Sequence, residues 1–576
     1  MKTFEKLLRS ATLAIISALL LGSSAFAQTT YDWRPNKSTS WVTAGNWQST
    51  SSTGVVTYPA ATYPGKTSSD IVRIGVNTSI AAFTNQPNIL AGQNLTIASL
   101  TLGNNNSAVG AASPNTITLT ITTGSTLTVT GTVLQMHSAT GGATNSGGRE
   151  NVDCNSCYTT SVYNTISGGG TLHCSYFTIG DNTIPGSPYV NNITTVMVKG
   201  STTINIDNDF TMNSASYYFD GDSTVISRNS DANFSFQSGT ITVNGTLKET
   251  NYNPYSYVVV QYVPITSFSM DISGSTNITL NLGGAHALSI NTGGYYCNNS
   301  VDFYNHASGT GQCYVNYTGT GNQEVYNYSS FPVYALDNDP AMYQNLGFGG
   351  SGTKTLDAGS FTIAGGLSLA AGSETVDLSA NNVPLTIPGT LTTGAGSTLK
   401  QGSANISVTG AVTNAGTLSL GSGSLTLSGN FTNSGTYTQG TGTTIFNSTG
   451  TVQLNDSGTG TTFNTVNFTG GNNNVIQSGK FSVASTSIMT LSGTNTKVTA
   501  GGGNLTLVSD ANGSATIAAL TNGCQVNGSN VTVQRYVAGG LVSGVTTRGY
   551  RLVSSPVYET ADSHGNNIYS INYLLN

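Results

Sequence analysis

Charge is what this chain lacks most: 7% of its 576 residues are Asp, Glu, Lys or Arg, where soluble domains average about a quarter. Lys and Arg number 18 against 24 Asp and Glu, a net charge of −6. Without the three basic residues and one acidic residue of segment 1–27 the balance falls to −8. A nucleic-acid backbone is held by clustered Lys and Arg, so no nucleic-acid partner is expected. Tryptophan is nearly absent: Trp33, Trp41 and Trp47 are all of it, which leaves none for the core of any later sandwich domain. After residue 27 no apolar run approaches the ~20 residues of a membrane-spanning helix, and no transmembrane anchor is expected. Helix-period segments are missing there too.

What is present begins with "MKTFEKLLRSATLAIISALLLGSSAFAQTT". Lys2, Lys6 and Arg9 precede an apolar run to Leu21, and Ala25-Phe26-Ala27 forms an A-x-A cleavage site, the pattern of a secretory signal. The mature protein should start near Gln28 and be secreted, extracellular or held on the outer cell surface. With 70 Gly and abundant Thr the composition borders on low complexity. Yet 37% of the residues are apolar, and many alternate with polar ones, which points to ordered strands rather than disorder. "NLTIASLTLG" (94–103), "NTITLTITTGSTLTVTG" (115–131), "GTITVNGTL" (239–247) and "SLTLSGNF" (424–431) show that alternation. Each run stops at or near Gly or Asn, which accept turn conformations.

The spacing of these runs carries the architecture. "TGAVTNAGTLSLG" (409–421) returns as "SGNFTNSGTYTQG" (428–440), placing Val412 over Phe431, Leu418 over Tyr437 and Asn414 over Asn433. So short a repeat suits a solenoid of about 20 residues per coil, in which each coil buries its apolar side on the next. A second echo, "YQNLGFGGSGTKTLDAGSFTI" (343–363) with "FNTVNFTGGNNNVIQSGKFSV" (463–483), is long enough for tandem sandwiches of about 100 residues. The fold expected is all-β, a right-handed parallel β-helix with an N-terminal cap and the start of a small C-terminal β domain; tandem β-sandwiches are the alternative. The expected divisions are a signal at 1–27, a cap at 28–75, solenoid coils at 76–530 and a new domain from 531. Residues 158–343 hold 19 of the 28 Tyr, as either a decorated stretch of the solenoid or an inserted module.

The "W…GNW…YPG…D.VRI" pattern, the Gly-Thr-Leu and Asn-Phe-Thr-Asn-Ser-Gly-Thr repeats, and "VQRY…RGYRLVSSPV" together resemble large secreted surface proteins of type IX-secreting bacteria. The repeats are similar to adhesin-like and autotransporter-like right-handed β-helices. The resemblance implies a surface or adhesive role and a C-terminal sorting domain after the last segment, where this sequence ends at "INYLLN".

Candidate sites follow from residue chemistry. Cys154 and Cys157 have C-x-x-C spacing with His173 and Cys174 further on, a zinc pattern in a reducing compartment and a disulfide pattern in an exported chain. Cys297 and Cys313 could pair across one coil, and Cys524 is isolated. Asp207, Asp209, Asp220 and Asp222 could offer oxygens to Ca²⁺, or serve as solvated turns. The same four carboxylates are the densest acidic group, but no base adjoins them before Arg228 and the His residues sit in no catalytic pattern, so no enzyme activity is expected. No cofactor is expected either. Tyr217, Tyr218, Tyr255, Tyr257, Tyr295 and Tyr296 are the ligand-binding candidates, flat rings with hydroxyl edges suited to polysaccharide or other surface macromolecules. Packing within strands is the other reading of the same tyrosines. N-terminal sequencing of protein recovered outside the cytoplasm should read Gln-Thr-Thr from Gln28; an intact Met1 terminus on that protein would remove the signal.

Overall fold

The computed structural model describes residues 28–34, 38–76, 85–103, 115–135, 158–180, 190–221, 224–252, 265–272, 274–290, 298–301, 303, 309–327, 343–359, 361–471, 473–536, 540–542 and 545–547. They contain strands, turns and one 3₁₀ turn at Ala44–Asn46, with no α-helix among them. The chain forms two compact units, one of residues 1–358 and 362–365, the other of 359–361 and 366–576. Each is a parallel β-helix.

In the first unit the chain visits three sheets in turn. Val190–Val198, Thr203–Ile206 and the first half of Phe210–Gly221 form one such coil. Every strand of it pairs in parallel with its counterpart one coil later, Thr203 with Thr240 and Phe210 with Leu247. We call these sheets one, two and three. Alternation selects the inward side: Thr203–Ile206 buries Ile204 and Ile206 and turns Thr203 and Asn205 outward. In-register pairing then stacks like on like. Leu127, Leu172, Ile204, Ile241, Leu280 and Val315 form one inward column of sheet two, all buried. Each such side chain contributes roughly 1.5 to 3 kcal/mol by leaving water. Phe177, Phe210, Phe234, Phe268 and Phe303 form an aromatic chain inside, with successive centroids 5.1, 4.9, 5.2 and 6.0 Å apart.

The N-terminal segment differs in direction. Thr30–Trp33 pairs antiparallel with Trp47–Thr50, which pairs antiparallel with Val56–Thr57, while the other edge of Thr30–Trp33 joins Ile71–Ile74 in parallel. The three Trp rings meet edge to face at 4.8 and 4.9 Å and are buried. Their N–H groups donate to the carbonyls of Asn85, Pro64 and Trp41. Arg73 reaches back along the parallel pair to Asp32, a bidentate bridge of 2.8 and 2.7 Å on a buried carboxylate. Asp70 accepts from the Gly65 N–H at 2.8 Å and from Thr67. The spaced Trp, Gly, Asp and Arg of this segment are therefore framework residues.

The second unit repeats the three-sheet coil in shorter form. Val412–Asn414, Thr417–Ser419 and Leu425–Leu427 make one coil, and each pairs in parallel with Phe431–Asn433, Thr436–Thr438 and Thr443–Asn447 of the next. The observed register places Val412 on Phe431 and Asn414 on Asn433, as the repeat predicts. The shared glycines have a steric cause: a Cβ on Gly440 would lie 1.8 Å from the Gly421 carbonyl oxygen, and one on Gly435 2.1 Å from that of Gly416. Turns stacked this closely have no room for a side chain.

Buried amides need partners, and the stack supplies them. Asn414 donates to Asn433 at 2.7 Å, and Asn433 to Asp456 at 3.0 Å. Thr393 donates to Asn414 at one end of this ladder. At the other, Asp456 also accepts from Thr461 at 2.5 Å and from the Gly458 N–H at 2.9 Å. The longer echo is likewise a coil pattern. Tyr343, Phe348, Leu356 and Phe361 are buried, as are their counterparts Phe463, Phe468, Ile476 and Phe481, and both copies run through successive strands of the stack.

Two expectations need correction. Tandem sandwiches are excluded because coil-to-coil pairing is parallel throughout the described stacks. A uniform coil of about 20 residues holds only for part of the second unit, where stacked partners lie 19, 21 and 23 residues apart. In the first unit they lie 28 to 47 apart, Ile71 on Ser99 and Asn115 on Val162 being the extremes, because its strands are longer and its corners carry long connections. At the far end Val531–Val533 still pairs within the stack, and an antiparallel hairpin of Gly540–Val542 with Val545–Thr547 follows. Phe431 is fully buried, so Phe431→Ala should cost about 3 to 5 kcal/mol, whereas Thr432→Lys on the outward side should stay within about 0.5 kcal/mol. Denaturant unfolding of the two variants checks both values.

Candidate functional site

Of the tyrosine candidates, Tyr217 and Tyr218 lie at the corner between sheets three and one. Residues 210–215 of Phe210–Gly221 pair in parallel within sheet three, after which 215–221 fold into an antiparallel hairpin with 224–230. The chain then joins sheet one through 228–236. Tyr217 and Tyr218 sit in that hairpin, in register with Arg228 and Ser227. Tyr255, Tyr257, Tyr295 and Tyr296 lie outside the described residues. Their flanking strands are again of sheet three and sheet one: Leu247–Tyr252 and Ile265–Ser269 for the first pair, Leu288–Ile290 and Asn298–Val301 for the second. Sequence inspection missed this shared corner, because it emerges only once strands are assigned to sheets.

Other tyrosines of residues 158–343 divide between core and surface. Tyr317 and Tyr343 are buried, with their hydroxyls 2.8 Å apart, and Tyr343 donates onward to the Tyr326 carbonyl at 2.8 Å. Burial pushes the Tyr317 phenol upward, more strongly than its hydrogen bonds lower it. Burial, with the Glu324 carboxylate beside it, pushes Tyr326 up to about 12. Tyr163 and Tyr314 are half-buried and Tyr176 is exposed.

Two of the four acidic candidates, Asp207 and Asp209, are engaged with neighbouring coils. Asp207 meets His173 Nε2 at 2.8 Å. Asp209 meets Lys248 Nζ at 2.6 Å and accepts from the Thr246 N–H at 2.9 Å. Partial burial would raise the Asp209 carboxyl, but Lys248 and that N–H outweigh it and hold the group below its ordinary value. The basic partner absent from the local sequence stands 39 residues away, one coil on. Asp220, next to the strand's last residue Gly221, stands opposite Val225, and Asp222 lies outside the described residues. No three His, Cys, Asp or Glu side chains come together among the described residues.

Cys154, Cys157 and Cys297 lie outside the described residues. Cys174 is a buried free thiol on the inward side of Thr171–Ile179. Burial first, and Asp207 second, push that thiol well above its usual range. Cys313 is buried, with Sγ 3.5 Å from the Met270 carbonyl oxygen, and Cys524 is a buried free thiol.

The outward side of sheet two is the most regular surface. Thr126, Thr171, Thr203, Thr240 and Thr279 occupy one position on five successive coils, with Asn94 before them and Tyr314 after. A parallel column includes Thr242, Asn281 and Asn316, in which Asn316 donates to Asn281 at 3.0 Å and Asn281 to Thr242 at 3.3 Å.

No family model, curated protein or solved structure matches this chain. The raised Cys174 thiol should resist iodoacetamide at pH 8 in the native protein and react after unfolding without reductant; mass spectrometry showing Cys174 in a disulfide would contradict the buried free thiol.

Proposed function

We propose that this chain is an exported structural or adhesive protein of the cell surface, built as a β-helix and without a catalytic centre. The leader of residues 1–27 and the resemblance to surface proteins of type IX-secreting bacteria support the location. The observation that carries the role is the treatment of charge: Asp32, Asp209 and Asp377 each meet a base from the neighbouring coil, Arg73, Lys248 and Lys400. Glycoside cleavage needs a pair of carboxylates facing substrate, one as acid and one as base or nucleophile. Carboxylates neutralised between coils serve stacking instead. The remaining outward positions of the described coils are dominated by Thr, Ser and Asn, which keep the sheets soluble and still able to bond neutral partners.

The test is limited proteolysis of intact cells expressing the full chain, with fractionation and detection by antibody. Digestion of the chain on intact cells, or recovery from the medium, is the expected result. An undigested chain confined to the cytoplasm with its leader attached would overturn the reading.

A further inference from the structure

We propose that the outward face of sheet two in the first unit is a docking surface for an extended neutral glycan, lying along the threonine column with about one sugar ring per coil. The inference rests on the export reading, since such polymers lie outside the cell.

The column holds Thr126, Thr171, Thr203, Thr240 and Thr279 in register, and none of their hydroxyls bonds a protein group among the described residues. Threonine suits strands in general, but that preference acts equally on all three sheets of the same coils. Sheet one places Thr165, Met197 and Ser235 at stacked outward positions. Sheet three places Leu134, Thr178, Thr211 and Lys248 there. Only sheet two keeps one uncharged hydroxyl residue through five coils.

Through the coils of Thr171, Thr203 and Thr240 the turns that flank this face are short: Val198 to Thr203 and Phe236 to Gly239 on one side, and Ile206 to Phe210 and Val243 to Leu247 on the other. The connections from Gln135 to Tyr158 and from Tyr252 to Ile265 run between sheets three and one, away from it, and the longer links at the corner of sheets one and two, Ser269 to Ile278 and Val301 to Cys313, belong to later coils.

The chemistry of the face selects the occupant. Protein interfaces are anchored by aromatic or Arg side chains filling pockets, and phosphate polymers by Lys and Arg; the column offers neither. It presents a hydroxyl and a methyl every ~4.8 Å, the spacing of stacked strands. An extended glycan advances by a similar length per ring and carries hydroxyls at its edge and C–H groups on its face, the matching pattern. Tyr314, next in register after Thr279 and half-buried, gives one end a ring on which a sugar can stack.

The experiment uses the full mature chain and measures depletion from solution by microcrystalline cellulose, chitin and insoluble β-1,3-glucan. Retention on at least one of them is expected. T171K/T203K/T240K should lower it tenfold or more, T171V/T203V/T240V should lower it while keeping side-chain shape, and T178K/T211K on sheet three should leave it unchanged. Circular dichroism melts of the variants are run alongside. No retention of the parent on all three glycans, or equal retention by the parent and the folded valine variant, would overturn the proposal. Because binding is read on purified protein, this outcome is independent of the proteolysis of intact cells, which tests export alone.

Discussion

Everything in this molecule depends on parallel, in-register stacking, which sets each residue about 4.8 Å from its counterpart one coil away. The interior is therefore decided column by column rather than residue by residue. A column works when its members are alike: aliphatic from Leu127 to Val315, amide and hydroxyl from Thr393 to Asn433. An isolated buried amide would cost its desolvation, whereas an amide with an amide on the adjacent coil both donates and accepts. This explains how a chain with so little charge buries Asn414 and Asn433.

Columns have ends, and the ends show different solutions. The amide ladder closes on Asp456, whose oxygens collect donors from Asn433, Thr461 and Gly458. The N-terminal strands abandon parallel pairing and gather three indoles whose N–H groups all reach backbone carbonyls. At the turns of the shorter coils, glycine is the end point of size reduction, since the adjacent backbone occupies the space of a side chain.

The coil architecture was legible in the sequence where coils are short. The nineteen-residue repeat set the register of Val412 on Phe431 and Asn414 on Asn433, and the structure has both. In the first unit the same principle was hidden, because partners lie 28 to 47 residues apart and share inward chemistry without sharing text. The pairing of Asp209 with Lys248 was invisible for that reason. The inward place of Cys174 was legible in the alternation of Thr171–Ile179. The surface column of threonines escaped notice until the sheets were assigned, since Thr is common everywhere in the chain.

One further consequence lies in where coil length varies. Sheets one, two and three keep their register although successive coils differ by many residues, because additions fall at corners, those between sheets three and one and between sheets one and two, and not within strands. At the corner between sheets two and three short turns join the strands of every described coil. A β-helix arranged in this way separates the part of its sequence that must remain fixed from the part that can drift. New segments can be inherited, exchanged or grafted at these corners without renegotiating the core, so the first unit is a chassis on which surface variation accumulates at little cost in stability.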